Sequence, residues 1–379
     1  MKIAIITHYF DPHVGGIEVV AEAHASRLAA RGHDVTVVTT AVDAPPGREK
    51  RDGYDVVRYA ALNPLESRGM PYPIPNPIDC HRTVRSTIDE EFELVHVHGF
   101  NYLTSLLPIL SLWREELPVV LHQHTPFIDY SPVLNVAERL NDNTVGRAVL
   151  RQADHCIAVS KNIAEYAAEL GADSVQTMYN GVDTQRFSPE VAPSRNEFLY
   201  LGRLTQKKGV QRLLKTVERL ERMDTDAVVR IAGKGEMAAE VESLAASNDT
   251  LQFEGFVSSK RLPELYSRAR GLLVPKQDGD AFPTLTILEA LASGTPPILV
   301  KTPVDTPGFT DHETYLQAQP TPTSLAGTIH DLAEDDALAD AMATQCRRAA
   351  LYYYEWDDRI DELEQTYARF GNVDPLLGE

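Results

Sequence analysis

Two cations in a glycine-punctuated loop are the residues of this sequence best suited to chemistry. Arg203 and Lys208 lie in FLYLGRLTQKKG, residues 198–209, immediately after an apolar run typical of a buried strand. In an open parallel sheet, the loop after such a strand faces the ligand crevice. Arg binds phosphate oxygens in bidentate geometry and Lys adds a compact charge, so the pair can neutralise a nucleotide diphosphate without a metal ion. The alternative interpretation is a solvated turn before a helix.

A lone carboxylate in an apolar helix is the second chemical feature. Glu289 interrupts the segment Leu285 to Ala292, which stops at Gly294 and the prolines that follow. A carboxylate on an apolar face needs hydrogen-bond donors, which ribose hydroxyls supply; an ion pair at the helix surface is the alternative. The loop before the helix leads into its first N–H groups, which suit sugar or phosphate oxygens. From this loop we predict three substrate-binding residues: Phe282, Pro283 and Thr284.

Glycine turns follow two other predicted strands. Gly15 and Gly16 in VGGIE open a helix, where N–H groups and the helix dipole face an anion or a sugar. Glu18 is expected to be a solvated residue in the first turn of that helix. Gly233, in GKGE, is predicted on the phosphate side or the nucleotide side of the site, with a plain turn as the alternative.

Four histidines mark the ends of two further strands. His96 and His98 point to one side of a strand, and His122 and His124 repeat the arrangement on another. The sequence places no third ligand near the first pair, so we expect no metal site. His124 already lies in a loop and is predicted to face a cleft, with a satisfied core or surface histidine as the alternative.

These residues must be positioned by an α/β framework, since short Val- and Ile-rich runs alternate with helix-like segments. A hinge is predicted around Pro189, Pro193 and Ser194, which gives an N-terminal domain at 1–188 and a C-terminal domain at 189–355. The segment 356–379 contains a helix, Trp356 to Phe370, which on sequence alone could pack on either domain; the family resemblance given below implies that it returns to the first. The predicted strands are Lys2–Ile6, Asp34–Thr39, Leu94–Val97, Val119–Leu121 and Cys156–Val159, then Phe198–Leu201, Val228–Ala232, Leu251–Phe253, Gly271–Val274 and Pro297–Val300.

Composition excludes several classes of function. The 379 residues include 36 Lys and Arg against 55 Asp and Glu, a formal net charge of −19, so we expect no nucleic-acid partner. The acidic, Lys-poor composition fits either a salt-rich cytoplasm or simple acidic solubility. Three scattered cysteines indicate neither a disulfide framework nor a zinc site, and no apolar stretch has the length of a transmembrane helix. A cytoplasmic protein is therefore expected.

Taken in order, the motifs resemble the retaining glycosyltransferases of family 4, the glycosyl transferases group 1. The resemblance implies a GT-B architecture, with two facing Rossmann-like domains and a cleft between them. It covers nearly the whole chain, and the pairing of GRLTQKKG with the Glu289 helix is its most specific part. The matching segments are VGGIE, VHVHG, QHTP, Asn180 to Asp183, GRLTQKKG, GKGE, GFV at 255–257 and FPTLTILEALASGTP.

The family resemblance also implies roles for the matching residues. Arg203 and Lys208 would hold the donor diphosphate and Glu289 the ribose, while His124 would lie beside the reacting sugar and Gly16 near the donor phosphate or the acceptor. Such enzymes usually require no metal, so no cofactor is expected and the nucleotide sugar is a substrate. One position departs from the family: its first glutamate is replaced by Ala281, and the adjacent Asp280 is the nearest acid, which we include as a candidate catalytic residue.

The reaction implied is transfer of a hexosyl group from a nucleotide diphosphate sugar to a hydroxyl of a glycan or lipid-linked glycan, with retention. Two alternatives remain: a nucleotide-sugar epimerase of the same fold, and a non-catalytic sugar-nucleotide-binding relative. The loop Pro71 to Pro77 and the segment Leu103 to Trp113 are candidates for acceptor contact. Arg139, Arg147 and Arg151 suggest peripheral contact with the inner face of a membrane, or else a solvated helix face.

Overall fold

The computed structural model describes residues 1–64, 72–88, 91–127, 132–190, 194, 196–276, 281–300 and 305–370. The chain forms two compact units. The first contains Met1–Asn180 and the C-terminal residues from Asp357, and the second contains Gly181–Asp278 and Phe282–Trp356. Two members of the predicted donor loop, Gly279 and Asp280, lie outside the described residues, as does Pro71 of the proline-containing loop.

The first unit is built on an eight-stranded sheet in the order β10-β9-β8-β7-β1-β2-β4-β3. All neighbouring strands are parallel except the β3 and β4 pair, which is antiparallel. The bounds are β1 Lys2–Ile6, β2 Asp34–Thr40, β3 Gly47–Lys50, β4 Tyr54–Tyr59, β7 Leu94–His98, β8 Val119–Gln123, β9 His155–Ala158 and β10 Val175–Thr177, with a separate small pair, β5 Ala61–Leu62 and β6 Ile74–Pro75.

Five strands of this sheet are those predicted from the sequence, within one or two residues at each end. The sequence did not predict the other three strands, β3, β4 and β10. Of these, β4 is an interior strand, β3 is an exposed charged segment, and β10 has only three residues, too short for a periodic signal. The helices of the first unit are α1 Gly16–Ala30, α2 Pro77–Thr87, α3 Leu103–Ser111, α4 Pro132–Asn141, α5 Arg147–Leu150, α6 Lys161–Glu169 and α13 Trp356–Phe370, with a π-helix at Asp142–Gly146.

The last helix, α13, packs against the sheet of the first unit. Ile360, Leu363 and Tyr367 are fully buried in one core with Ile3 and Ile5 of β1. At the end of α1, Arg31 Nη1 donates to Glu364 Oε2 at 2.7 Å, and the His33 ring contacts the other carboxylate oxygen. The helical period of its apolar residues thus turns one face of α13 onto the β1 side of the sheet.

The second unit has a six-stranded sheet, parallel throughout, in the order β13-β12-β11-β14-β15-β16. From β11 the chain adds β12 and β13 on one side of the sheet and then β14, β15 and β16 on the other, so the order of the strands reverses at β11. The carboxyl ends of β11 and β14 therefore flank a topological switch point, where ligands bind in such sheets. The strands are β11 Glu197–Leu201, β12 Val228–Ala232, β13 Leu251–Gly255, β14 Gly271–Val274, β15 Pro297–Leu299 and β16 Leu316–Gln317.

Five of these six strands are the predicted ones, and only the two-residue β16 was missed. Each unit is therefore an α/β domain with a Rossmann-like parallel sheet, as predicted. No helix among the described residues is long and apolar enough to cross a membrane. The helices of the second unit are α7 Val210–Leu220, α8 Ala238–Ala245, α9 Leu262–Arg268, α10 Leu285–Ala292, α11 Pro322–Glu334 and α12 Asp336–Tyr353.

Candidate active site

The loop after β11 runs across the switch point of the second unit. A short 3₁₀ turn, Gln206–Lys208, leads to Gly209, which has a φ of 78° and begins α7. A Cβ at Gly209 would lie 2.5 Å from the carbonyl oxygen of Pro275, in the loop after β14. Only glycine combines this left-handed backbone with so close an approach. The loops after β11 and β14 are consequently in direct contact.

The loop after β12 packs against the loop after β11. Gly233 has a φ of 149°, and a Cβ there would overlap the carbonyl oxygen of Gly202. Backbone hydrogen bonds connect the two loops: the Leu204 N–H donates to the Lys234 carbonyl at 2.9 Å, and the Met237 N–H donates to the Leu204 carbonyl at 3.0 Å. Gly233 thus permits the packing of the loop that carries the two cations.

Arg203 and Lys208 are presented differently by this loop. Arg203 is exposed, and its carbonyl oxygen accepts a hydrogen bond of 2.9 Å from the hydroxyl of Tyr200, a residue of β11. Lys208 is half-buried in the 3₁₀ turn, next to Gly209 and hence to the loop after β14. The backbone around Arg203 is fixed by bonding to β11 and to the loop after β12, while its guanidinium remains accessible to an anion.

The loop after β14 leads into the N-terminus of α10, where three predicted binding residues lie. Phe282 packs edge-to-face on Phe309 at a ring separation of 4.8 Å. Pro283 is buried, and Thr284 is the residue before α10, with its hydroxyl 2.9 Å from that of Thr286. The first N–H groups of a helix have no acceptor within the helix, so this terminus suits an anion.

Glu289 is half-buried on α10 and has a partner that the sequence did not reveal. The hydroxyl of Tyr266, on α9, donates to Glu289 Oε2 at 2.8 Å. Burial raises the pKa of Glu289 to about 7, while the Tyr266 hydrogen bond and the charge of Arg186 act in the opposite direction. The pKa of Tyr266 is itself raised well above its usual value by burial and by Glu289, so its hydroxyl keeps the proton it donates. The predicted ribose ligand is thus a carboxyl group held in one orientation.

In the first unit, the turn before α1 holds a carboxylate rather than open space. Glu18 is only 6% exposed, so the expectation of a solvated residue is wrong. Its side chain folds back over the helix start, where a Cβ at Gly15 would overlap its Oε2 atom, and its Oε1 lies 4.0 Å from His13 Nε2. This conformation resembles the capping-box position of a Glu at the third helical residue. Gly15 leaves room for that carboxylate, while Gly16 is the first residue of the helix.

His124 follows β8 and is 7% exposed. Its Nε2 atom lies 2.8 Å from Nδ1 of His98, and the two rings stack at 5.0 Å. Burial, with a smaller effect of His24 and His8, lowers the pKa of His124 to about 3. At neutral pH, His124 is therefore an uncharged hydrogen-bonding group and not a cation.

The expectation that His96 and His98 lack further ligands is wrong. His24 of α1 and His122 of β8 lie beside them, and all four rings are buried. The sequence did indicate that His24 is buried, because it continues the helical stripe of Val20, Ala21 and Leu28 that packs on the sheet. Tyr266 had no comparable signal, since only the packing of α9 on α10 brings it to Glu289.

The structure thus places the predicted residues in two sets, one in each unit. Arg203, Lys208, Gly233 and the α10 residues gather at the switch point of the second unit, whereas Gly15, Gly16 and His124 belong to the first. Two Rossmann-like units, one of them with cations and a helix N-terminus at its switch point, are the features predicted for a transferase of GT-B type.

Comparison with known proteins agrees with this class. Residues 14–186 match the family model described as Glycosyltransferase Family 4, and residues 181–349 match that of the Glycosyl transferases group 1. The chain belongs to these glycosyltransferases, and the protein is an enzyme of the transferase class. The two matches together run from residue 14 to residue 349 and meet near the division between the units.

Individual relatives are distant but cover almost the whole chain. An uncharacterized glycosyltransferase of Methanocaldococcus jannaschii is 24% identical, over 97% of this chain and 98% of the relative. Sucrose-phosphate synthase from Thermosynechococcus elongatus has the same fold, with a TM-score of 0.76, 20% identity and coverage of 97% and 98%. HepE of Anabaena, solved in complex with UDP-glucose, has a TM-score of 0.73 at 16% identity, with coverage of 97% of this chain and 100% of HepE. The predicted GT-B fold is confirmed.

Proposed function

We propose that the protein is a retaining glycosyltransferase that moves a hexosyl group from a nucleoside diphosphate sugar to a hydroxyl of a glycan or lipid-linked glycan. The observation that carries this proposal is the convergence of three loops and the α10 N-terminus at the switch point of the second unit. Arg203 and Lys208 lie in the loop after β11, and Glu289 lies on α10, the helix into which the loop after β14 leads. Cations, N–H groups and a carboxyl group match the diphosphate and ribose of one ligand.

The donor is assigned to the second unit. Arg203 and Lys208 bind the diphosphate, the backbone around Gly233 and Phe282 to Thr284 lines the site, and Glu289 accepts hydrogen bonds from ribose hydroxyls. HepE was solved with UDP-glucose, which supports a nucleotide sugar as the donor. Asp280, outside the described residues, is proposed to contact the donor-sugar hydroxyls in place of the family's first glutamate.

The transfer itself needs little from the side chains beyond charge and alignment. As the bond to the sugar breaks, negative charge develops on the leaving diphosphate, and preorganised cations stabilise it. The diphosphate can then take the proton of an acceptor hydroxyl that attacks from the same face of the sugar, which retains the anomeric configuration. In this scheme Arg203 and Lys208 neutralise the negative charge of the phosphates, so we propose that transfer requires no metal cofactor.

The acceptor side is assigned to the first unit. His124 is uncharged, and the buried Glu18 carboxylate occupies the start of α1. A carboxylate there disfavours a phosphate but accepts hydrogen bonds from hydroxyl groups. We therefore propose that the Gly15-Gly16 turn and His124 contact sugar hydroxyls and not an anion.

A peripheral membrane contact is proposed for helix α4 of the same unit. Its side chains Leu134, Val136 and Leu140 are 37%, 69% and 65% exposed, and Arg139 lies over the Phe127 ring at 5.3 Å. Exposed apolar groups beside a cation suit an anionic lipid surface. Flotation with anionic vesicles tests this: wild-type protein should bind at low salt and Val136→Asp should bind less. Equal recovery of both proteins in the vesicle-free fraction would refute the contact.

A thermal-shift screen of nucleoside diphosphates and their sugars tests the donor site. Uridine, guanosine and adenosine series are compared with EDTA present, on wild type, Arg203→Ala and the control Arg222→Ala, a change of an exposed arginine beyond the end of α7. A ligand that binds the folded state raises the midpoint by mass action. We expect one series to do so in wild type and the control but not in Arg203→Ala. No shift from any series would overturn the proposal.

Activity assays then separate transfer from the alternatives. Product that appears only with an added glycan or lipid-linked acceptor supports the transferase, and its anomeric configuration decides retention. A changed sugar released without any acceptor would instead show an epimerase. Binding without turnover across an acceptor panel would show a non-catalytic relative.

A further inference from the structure

Four histidines from three elements meet in the interior of the first unit: His24 of α1, His96 and His98 of β7, and His122 of β8, here called the histidine quartet. Their side chains are at most 2% exposed. One ring nitrogen from each lies within 4.8 Å of those of the other three. The register of the sheet explains the meeting, because His98 pairs with His122 across two parallel strands and α1 covers that face.

The ring positions match a tetrahedron. The six separations between ring centroids in the quartet all fall between 4.6 and 5.5 Å. With a Zn–N bond of about 2.0–2.1 Å, four imidazoles around one tetrahedral ion have centroids about 5.2 Å apart. The ring planes lie 11° to 44° from parallel, so coordination requires the rings to rotate about their Cβ–Cγ bonds. The centres of the rings need little displacement.

The three strand histidines of the quartet have ring nitrogens that remain available to a metal ion. His96 Nδ1 lies 2.5 Å from the Tyr367 hydroxyl, and His98 Nδ1 lies 2.8 Å from His124 Nε2. Among the described residues, no partner bonds Nε2 of His96, Nε2 of His98 or either nitrogen of His122. Buried ring nitrogens normally have a partner, so these atoms point to a ligand.

The protonation state also suits a metal. Burial is the largest cause of a lowered pKa in all four rings, and the neighbouring histidines add to it. The rings are therefore uncharged at neutral pH, and each has a lone pair to offer. A metal ion binds the neutral form of imidazole, so no proton has to be removed.

We propose that the histidine quartet binds one transition-metal ion in tetrahedral geometry, with Zn²⁺ as the best fit. Zn²⁺ accepts imidazole nitrogen and has no d-electron preference that would oppose this arrangement. When Nε2 of His98 is a ligand, its Nδ1–H donates to His124 Nε2; that of His96 donates likewise to the Tyr367 hydroxyl. Ligating histidines are usually oriented by such second bonds. The ion would hold His124 in a single tautomer. Its site belongs to the first unit, whereas the diphosphate site of the proposed function belongs to the second.

The experiment uses the full chain without an affinity tag, produced in zinc-supplemented medium and passed through a chelating column to remove surface metal. Elemental analysis is expected to find one Zn²⁺ per wild-type chain. His24→Gln and His122→Gln are expected to lose at least nine-tenths of it. The matched control is His155→Gln, a change in the adjacent strand β9, where the ring contacts Gln176 at 3.0 Å; it should keep one equivalent.

A second measurement covers the case in which the quartet variants do not fold. Wild-type protein produced with Co²⁺ should show the strong visible bands of four-coordinate cobalt, and its thermal midpoint should exceed that of protein produced with chelator. Fewer than about 0.2 equivalents of zinc in wild type, full retention of zinc by both quartet variants, or cobalt protein without those bands would each overturn the proposal. The quartet would then be a stack of buried histidines.

Discussion

The raised pKa of Glu289 predicts that nucleotide affinity depends on pH. The carboxyl group has a usual pKa of 4.5, and burial raises it to about 7 in the folded protein. If ribose hydroxyls donate to Glu289, only the ionised form offers both oxygens to them. The ionised fraction rises from about one-tenth at pH 6 to about nine-tenths at pH 8, so the affinity should increase roughly tenfold, or about 1.4 kcal/mol.

The assay is the dissociation constant of the best nucleoside diphosphate between pH 5.5 and 8.5, measured on wild type and Glu289→Gln. The ratio of the two constants cancels the titration of the ligand's own phosphate. Tyr266→Phe removes the 2.8 Å hydrogen bond that favours the ionised form, so its midpoint should move to higher pH. A ratio that is flat between pH 6 and 8 would refute the ribose role of Glu289.

The same pKa has a consequence for the ligand-free protein. Because the folded pKa lies above the unfolded one, the folded protein binds more protons than the unfolded chain between pH 4.5 and about 7. The contribution of Glu289 is complete below pH 4.5 and is lost as pH rises through 7. A shift of this size corresponds to about 3 kcal/mol in the free energy of unfolding. Glu289→Gln should flatten the pH dependence of stability within that window.

Three further predictions concern other parts of the molecule. Arg203→Ala should lower turnover about a hundredfold or more, as expected for loss of one charge-stabilising donor, with Arg222→Ala unchanged; near-normal turnover would exclude the diphosphate role. Gly233→Ala should destabilise the protein by about 1–3 kcal/mol, since a Cβ would overlap the Gly202 carbonyl oxygen, and unaltered denaturant midpoints would show that the loops separate at no cost. Leu363→Ala, a change of a fully buried residue in α13, should cost about 2–5 kcal/mol, whereas the control Asp358→Ala, a change of an exposed residue in the same helix, should leave stability nearly unchanged; equal stability of the two variants would contradict the packing of α13 on the sheet.

Local sequence was sufficient for the framework and for the main loop of the donor site. The strands β11, β12, β13, β14 and β15 were predicted because each is a short apolar run bounded by turn residues, a pattern set by neighbours along the chain. Arg203 and Lys208 follow from the same reasoning, since a loop after a parallel strand lies at a known edge of the sheet. The periodicity of α13 likewise predicted a buried face.

What the tertiary structure decided is which side chains from distant segments touch. The hydrogen bond from Tyr266 to Glu289 and the meeting of His24 with the strand histidines depend on helix packing and strand order. No local pattern specifies these, because periodicity tells which face of an element is buried and not which other element covers it. The pKa of Glu289 and the neutral state of the histidines follow from that burial, so the charges at the site could be assigned only from the folded chain.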